Sequence, residues 1–212
     1  MVSGNKDNLD ISKYPDIVRK YLEKERELLL DFIRGSVRVL DVGCGTGRII
    51  QELSPIVKEY VGIDIDKGYL ESARKIAEGF RNVKILELDV MKLSEKFGPG
   101  YFDKSFLLFN TLGSLKNDKA ALVEISRVTK NRCFLSLVAR GSLEQRKTYY
   151  EKMNIDYDFD EKAETIYSSQ WGMVRAYSEE EIREFVDGTD FIIDDIRKVY
   201  GQEYLITLAK KR

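Results

Sequence analysis

The groups most apt for chemistry lie in the stretch VLDVGCGTGR, residues 39–48. Gly43, Gly45 and Gly47 alternate there behind an apolar run that carries an acid, Asp41. Glycine accepts positive φ and lets a ligand lie against the main chain, so this pattern implies a tight turn built for close approach. A turn from a strand into a helix also aims amides and a helix N-terminus at such a ligand. Two more acids follow in order. Asp64 closes a second apolar run about 20 residues after the turn begins, where a carboxylate can accept from both hydroxyls of a ribose. Asp89 and Val90 close a third run, and a carboxylate beside an apolar side chain suits the amino group and the face of an adenine. The phrase FNTLGSL, residues 109–115, follows a fourth run at the edge where a reacting group would sit.

Composition narrows the chemistry further. The chain has 212 residues and no histidine, so any proton transfer falls to carboxylates, Tyr, Lys or Cys. Cys44 and Cys133 form no paired motif and read as buried thiols. The run DYDFDE, residues 156–161, places acids at positions 1, 3 and 5 of a calcium loop. Glu161 then stands where the sharp turn needs glycine, and Tyr167 where the last ligand would be, so no metal is expected. A net charge of −1 argues against a protein whose main business is wrapping nucleic acid. With 43% hydrophobic and 33% charged residues, the chain reads as one soluble globular domain with a small appendage. No apolar run approaches the roughly 20 residues of a membrane span. The polar start, MVSGNKDNLDISKYPD, has no apolar signal core, so a cytoplasmic location is expected. The Glu- and Lys-rich composition is compatible with a thermophilic source.

These residues need elements to hold them. Apolar positions at helical spacing predict a first helix over YPDIVRKYLEKERELLLDFI, with a break near Glu25 and a stop at Gly35. Strands over VRVLDVG, EYVGIDID, VKILELDV, YFDKSFLLFN and RCFLSLVAR alternate with helices. The first of these helices, GRIIQELSP, is stopped by Pro55, and Asn117 caps NDKAALVEISRVT. That alternation implies right-handed βαβ crossovers and a mainly parallel sheet. A capping box at Ser178 and Glu181 opens a late helix. Two final strands joined around Gly201 must run antiparallel. The fold class expected is α/β: a doubly wound, mainly parallel seven-stranded sheet ending in an antiparallel hairpin, with helices on both faces and a small lid insertion.

The ordered set VLDVGCGTGR, VGIDID, LELDV and FDKSFLLFNTLGSL resembles the successive motifs of the class I S-adenosylmethionine-dependent methyltransferases, over roughly residues 36–210 apart from the insertion. FNTLG after the fourth strand is similar to the small-molecule branch. The nucleobase amino-methyltransferases carry Asn/Asp-Pro-Pro-aromatic there, whereas Asn110 is followed by Thr111 and Leu112. The resemblance implies S-adenosylmethionine as cofactor and S-adenosylhomocysteine as product. It places Gly43, Cys44 and Gly45 along the methionine portion and Asp41 at its ammonium. Asp64 falls on the ribose, Ile65 beside the adenine, Asp89 and Val90 on the adenine amino group, and Phe109 or Asn110 near the sulfonium. The G-x-G-x-G spacing departs from the G-x-G-x-x-G of NAD enzymes.

Four segments follow: an N-terminal helical lid (1–35), a cofactor-binding core (36–140), an aromatic-rich insertion (141–177), and a C-terminal helix and hairpin (178–212). The insertion leaves from the carboxyl end of the fifth strand, so it and the first helix are expected to cover the ligand crevice. Tyr14, Tyr21, Asn110, Trp171 and Arg175 are the candidate acceptor residues, and a small, partly apolar or cationic acceptor is expected over their ring faces. A monomer or homodimer methylating a small molecule is the reading favoured. Methylation of RNA or protein, and a non-catalytic adenosylmethionine-binding module, are the alternatives. No catalytic base is named.

Overall fold

A computed structural model describes residues 14–35 and 38–211. The chain start, residues 1–13, and the expected first residue of the first strand, Val37, lie outside the described residues. Helix α1 (Asp16–Ile33) precedes the alternating core: β1 (Arg38–Val42), α2 (Ile50–Leu53), β2 (Glu59–Asp64), α3 (Lys67–Ala77), β3 (Val83–Glu87), α4 (Leu93–Lys96), β4 (Phe102–Leu107), α5 (Asp118–Val128) and β5 (Thr129–Val138). The insertion carries α6 (Leu143–Lys152), β6 (Tyr157–Asp160), β7 (Thr165–Ser168) and β8 (Gly172–Val174). Helix α7 (Glu179–Asp187) and strands β9 (Phe191–Val199) and β10 (Glu203–Lys210) complete the core.

The seven core strands lie in the order β3-β2-β1-β4-β5-β10-β9. The pairs among β1 to β5 are parallel, and β10 runs antiparallel to both β5 and β9. Chain order reverses between β1 and β4, which opens the crevice in which α/β sheets hold ligands. One face packs β1, β5 and β10 residues against α5 and α7, and the other packs Val39, Tyr60, Phe106 and Phe134 beneath α1 and α2. Sheet and hairpin are as expected, and the Ser178–Glu181 capping box is complete. Among the described residues, no helix is long and apolar enough to cross a membrane.

Four local expectations are corrected. Helix α1 does not break at Glu25: it runs unbroken for 18 residues, and Glu25 is wholly buried. Pro55 does not stop α2, which ends at Leu53 and passes into a 3-10 turn that contains the proline. Asn117 makes no side-chain cap to α5. The third strand ends at Glu87, and Asp89 instead caps the following 3-10 turn, accepting from the Met91 amide at 2.9 Å. The extended pieces of the insertion form a sheet of their own, β6-β7-β8, antiparallel throughout.

Candidate active site

The glycine turn leaves β1 and lies across the carboxyl end of β2. The Gly43 and Cys44 amides both donate to the Ile63 carbonyl, at 2.8 and 3.0 Å, and the Gly45 amide donates to Asp64 Oδ2 at 2.9 Å. These amides are therefore tied within the protein. Helix α2 is a single turn, too short to carry much of a macrodipole. What the turn presents is main chain stripped of side chains. Gly43 and Gly45, both at positive φ, divide that task. A Cβ on Gly43 would lie 2.4 Å from Thr111 Cγ2, so this glycine lets the turn pack on the loop after β4. A Cβ on Gly45 would meet nothing within 4 Å, so this glycine faces open space.

Asp64 is fixed by its neighbours. Its Oδ1 accepts the Ile65 and Asp66 amides at 2.7 and 3.0 Å, in addition to the Gly45 amide on Oδ2. A carboxylate offers about four lone-pair positions, so three are in use and one stays open. Beside it, Ile65 is 68% exposed, and Met91 is 40% exposed after Asp89 and the buried Val90. Two large apolar side chains held in solvent beside two carboxylates fit an adenosine, whose ring needs flat apolar cover and whose ribose needs an acid. Met91 was not foreseen from the sequence.

Asp41 is 4% exposed and accepts a hydrogen bond from the Tyr60 hydroxyl. Burial raises its pKa from 3.8 to about 7, against the opposing pull of the Tyr60 hydrogen bond and the Arg48 charge. Cys44 is buried as well, and desolvation followed by the Asp41 charge keeps it a neutral thiol.

Behind Asp41 lies a buried polar network that the sequence reading missed. Glu25 Oε1 accepts from the Phe109 amide at 2.8 Å, from the Tyr21 hydroxyl at 2.9 Å and from the Ser136 hydroxyl. Its Oε2 pairs with Arg48 of the glycine turn at 2.6 Å. Burial works against the charge of Arg48, but Glu25 outweighs it and holds the guanidinium protonated. One carboxylate thus ties α1 to the glycine turn, to β5 and to the loop after β4. That loop carries two consecutive non-glycine residues at positive φ, Phe109 at 50° and Asn110 at 61°. Such residues cost of order 1–3 kcal/mol each and persist only where surrounding bonds over-determine them. The Glu25 bond to Phe109 N–H is one such constraint. The Asn110 side chain supplies two more, accepting from the Val138 amide at 2.9 Å and donating to the Arg175 carbonyl at 3.1 Å. A readable signal for Glu25 existed: a lone acid on an apolar helical stripe must be paired if the stripe is buried.

The other acceptor candidates separate into two groups. Tyr14 is 4% exposed, stacks on Phe109 at 6.2 Å and meets Tyr149 of α6 edge-to-face at 5.6 Å. Tyr21 also stacks on Phe109, at 6.5 Å, and Trp171 stacks on Tyr149 at 5.4 Å. An aromatic train therefore runs from Phe109 into the insertion. Arg175 is not on it: its guanidinium pairs with Asp118 at the start of α5, which also accepts from the Tyr177 hydroxyl.

A doubly wound sheet with a reversed final hairpin, a glycine turn after β1 and acids after β2 and β3 define a class I methyltransferase fold. The chain belongs to the methyltransferase-domain family, whose model matches residues 33–198. The same fold occurs in a Pyrococcus horikoshii protein, 22% identical, with a TM-score of 0.74 over 95% of this chain and 94% of that one. It also occurs in a Burkholderia thailandensis 1,6-didemethyltoxoflavin N1-methyltransferase crystallised with its substrate and S-adenosylhomocysteine, 16% identical, with a TM-score of 0.66 over 95% and 85%. Among curated relatives, a ubiquinone/menaquinone biosynthesis C-methyltransferase of Coxiella burnetii is 31% identical over 127 residues, 56% of this chain and 50% of its own length. A tRNA (guanine-N(7)-)-methyltransferase of Macrococcus caseolyticus is 29% identical over 102 residues, 46% and 49% of the two chains. The chain spans about half the length of these relatives.

Proposed function

We propose that the protein transfers a methyl group from S-adenosylmethionine to a small organic acceptor. The cover over Phe109 carries the choice of acceptor. Tyr14, Tyr149 and Trp171 close the approach with ring faces, which suits a molecule that enters beneath a lid better than a polymer lying along an open channel. The net charge of −1 supports the same choice.

In this reading Asp64 keeps the Ile65 and Asp66 amides and gives its open position, together with that now held by the Gly45 amide, to the ribose. Ile65 and Met91 flank the adenine, and Asp89 and Val90 meet its amino group. Gly43, Cys44 and Gly45 line the methionine chain, and Asp41 faces the ammonium. The donor supplies an electrophilic methyl carbon on a sulfur that leaves uncharged. The protein's own work is alignment and exclusion of water. Alignment alone is worth effective molarities of order 10⁵ M or more. Helix α1 and the insertion act as the lid that excludes water.

Two measurements test this. Calorimetry should give micromolar binding of S-adenosylmethionine and S-adenosylhomocysteine and none of NAD; NAD as the tighter ligand overturns the reading. With a labelled methyl donor, label should pass into the small-molecule fraction of a cell extract. Label confined to tRNA or to protein would move the assignment to a macromolecular acceptor.

A further inference from the structure

The loop that follows β4 is held to the glycine turn at two points. Thr111 packs directly on Gly43, whose missing Cβ makes room for it. Two residues earlier, the Phe109 amide donates to Glu25 Oε1, and Glu25 Oε2 takes Arg48, at the far end of the same turn. These contacts close a circuit that leaves the turn at Gly43, passes through Thr111, Phe109 and Glu25, and returns at Arg48. Phe109 and Asn110, the two consecutive residues at positive φ, lie on that circuit. Ser136 braces it from β5. Its hydroxyl donates to the same Glu25 oxygen, and its carbonyl accepts the Asn110 amide at 3.2 Å.

Glu25 has no capacity left for other chemistry. A carboxylate offers about four acceptor positions. The Phe109 amide and the Tyr21 and Ser136 hydroxyls share Oε1, and Arg48 takes Oε2. With its positions filled by donors, Glu25 is not placed to take a proton from a substrate. Docking of α1 does not require an acid there either. Leu22 and Leu29, one turn to each side on the same stripe, are buried as plain apolar contacts. Apolar residues in place of a buried ion pair are often as stabilising as the pair itself. An acid at this position does what they cannot: it accepts the amide of a strained loop while facing a cation of the turn.

We propose that Glu25 is a positioning residue for methyl transfer, which fixes the loop carrying Phe109 against the turn that lines the donor, acting through the Phe109 amide and Arg48. This rests on the methyl-transfer reading above. In that reading the turn runs along the methionine chain and Phe109 lies near the sulfur. The two parts that Glu25 joins are then the ones whose separation sets the line of attack. In-line displacement is sensitive to that separation: a misplacement of about 1 Å costs about 100-fold in rate.

Glu25→Gln and Glu25→Ala test this. Gln keeps an oxygen for the Phe109 amide but turns an NH2 group toward Arg48; Ala removes both contacts. Residue-resolved amide exchange by NMR should show Phe109 and Asn110 exchanging at least about tenfold faster in Glu25→Ala and within about threefold of wild type in Glu25→Gln. The amides of β9 and β10 should be unchanged in both. Transfer of label from saturating S-adenosylmethionine into the small-molecule fraction of a cell extract, below each melting point, should fall about 100-fold in Glu25→Ala and less than about tenfold in Glu25→Gln. S-adenosylhomocysteine affinity should fall less than about tenfold in either, so the loss is in rate rather than in binding. Thr129→Val controls for stability alone. It breaks the buried 2.8 Å bond to Ser105 at the amino end of β5, so it should lower the melting point while keeping transfer and Phe109 exchange within about threefold. The proposal is overturned if Gln and Ala behave alike at Phe109, as pairing with Arg48 alone predicts. It is also overturned if folded Glu25→Ala keeps its transfer rate within about threefold, or if Thr129→Val loses as much as Glu25→Ala. Should Glu25→Ala fail to fold, Glu25→Gln decides: retained Phe109 protection supports the proposal and lost protection overturns it. Failure of the wild-type protein to bind S-adenosylhomocysteine would instead overturn the underlying reading.

Discussion

Replacement of Asp41 by Asn separates what the fold tolerates from what the ligand needs. The wild-type carboxyl is buried with one hydrogen-bond donor, Tyr60, and its pKa stands at about 7 against 3.8 for the free side chain. Between these two values the folded state holds more protons than the unfolded state, so stability falls as pH rises, by about 1.4 kcal/mol per pH unit. Below 3.8 both states are protonated and this cost is absent; above 7 both are ionised and the full cost, about 4 kcal/mol, is in force. Asn carries no charge to desolvate, but its amide nitrogen needs a partner that the acid did not, at about 1–3 kcal/mol. Asp41→Asn should therefore be more stable than wild type by about 1–3 kcal/mol at pH 8 and less stable at pH 4, with the two curves crossing between. Urea denaturation of the ligand-free protein across pH 4–8 measures this. The same variant should bind S-adenosylmethionine more weakly at pH 8, because the ammonium loses its counter-charge. Wild-type affinity should rise from pH 6 to pH 7.5, with proton release on binding, and the variant's should stay flat. A variant that is less stable than wild type at pH 8, or that keeps the wild-type slope, refutes the reasoning.

Asp64→Ala should weaken cofactor binding at least tenfold by calorimetry, since a charge-assisted hydrogen bond contributes about 1.5–3 kcal/mol; a loss below threefold would place the ribose elsewhere. Glu25→Ala strands Arg48 as a buried unpaired charge and should cost about 3–5 kcal/mol, read as a melting-point drop of at least about 6 °C at 2–4 °C per kcal/mol. Gly43→Ala should unfold or strongly destabilise the protein, because the new Cβ would meet Thr111 at 2.4 Å. Gly45→Ala should remain folded, with a modest melting-point loss from its positive φ, and lose cofactor affinity. Hydrogen exchange in α1 and α6 should slow on addition of S-adenosylhomocysteine, and unchanged exchange in both would argue against their acting as a lid.

The sheet, its order of elements and its closing hairpin were legible because they rest on local signals: periodicity, glycine turns, one capping box. The positions of Asp41, Asp64, Asp89 and Phe109 were legible for a related reason. Each lies at or just past the carboxyl end of a parallel strand, and a parallel sheet brings those ends together whatever the side chains between them. The insertion's three-stranded sheet was legible only as extended polar-aromatic sequence. Its strands are three or four residues long, too short for an alternating pattern to declare itself.

What escaped the sequence is what depends on convergence. Glu25, Arg48, Ser136 and Phe109 are separated by up to 111 residues, yet they meet at one carboxylate. In sequence Glu25 reads as a place where a helical stripe falters. Its burial makes it the opposite, a bond between α1 and the strained loop that carries Phe109. The same holds for Glu203, which reads in sequence only as the first residue of the last strand. Only antiparallel pairing with β5 carries it back to the carboxyl edge. Acids that end parallel strands announce themselves by position. Acids brought there by a returning strand or a docked helix do not, and in this chain it is one of these, Glu25, that bonds the Phe109 amide.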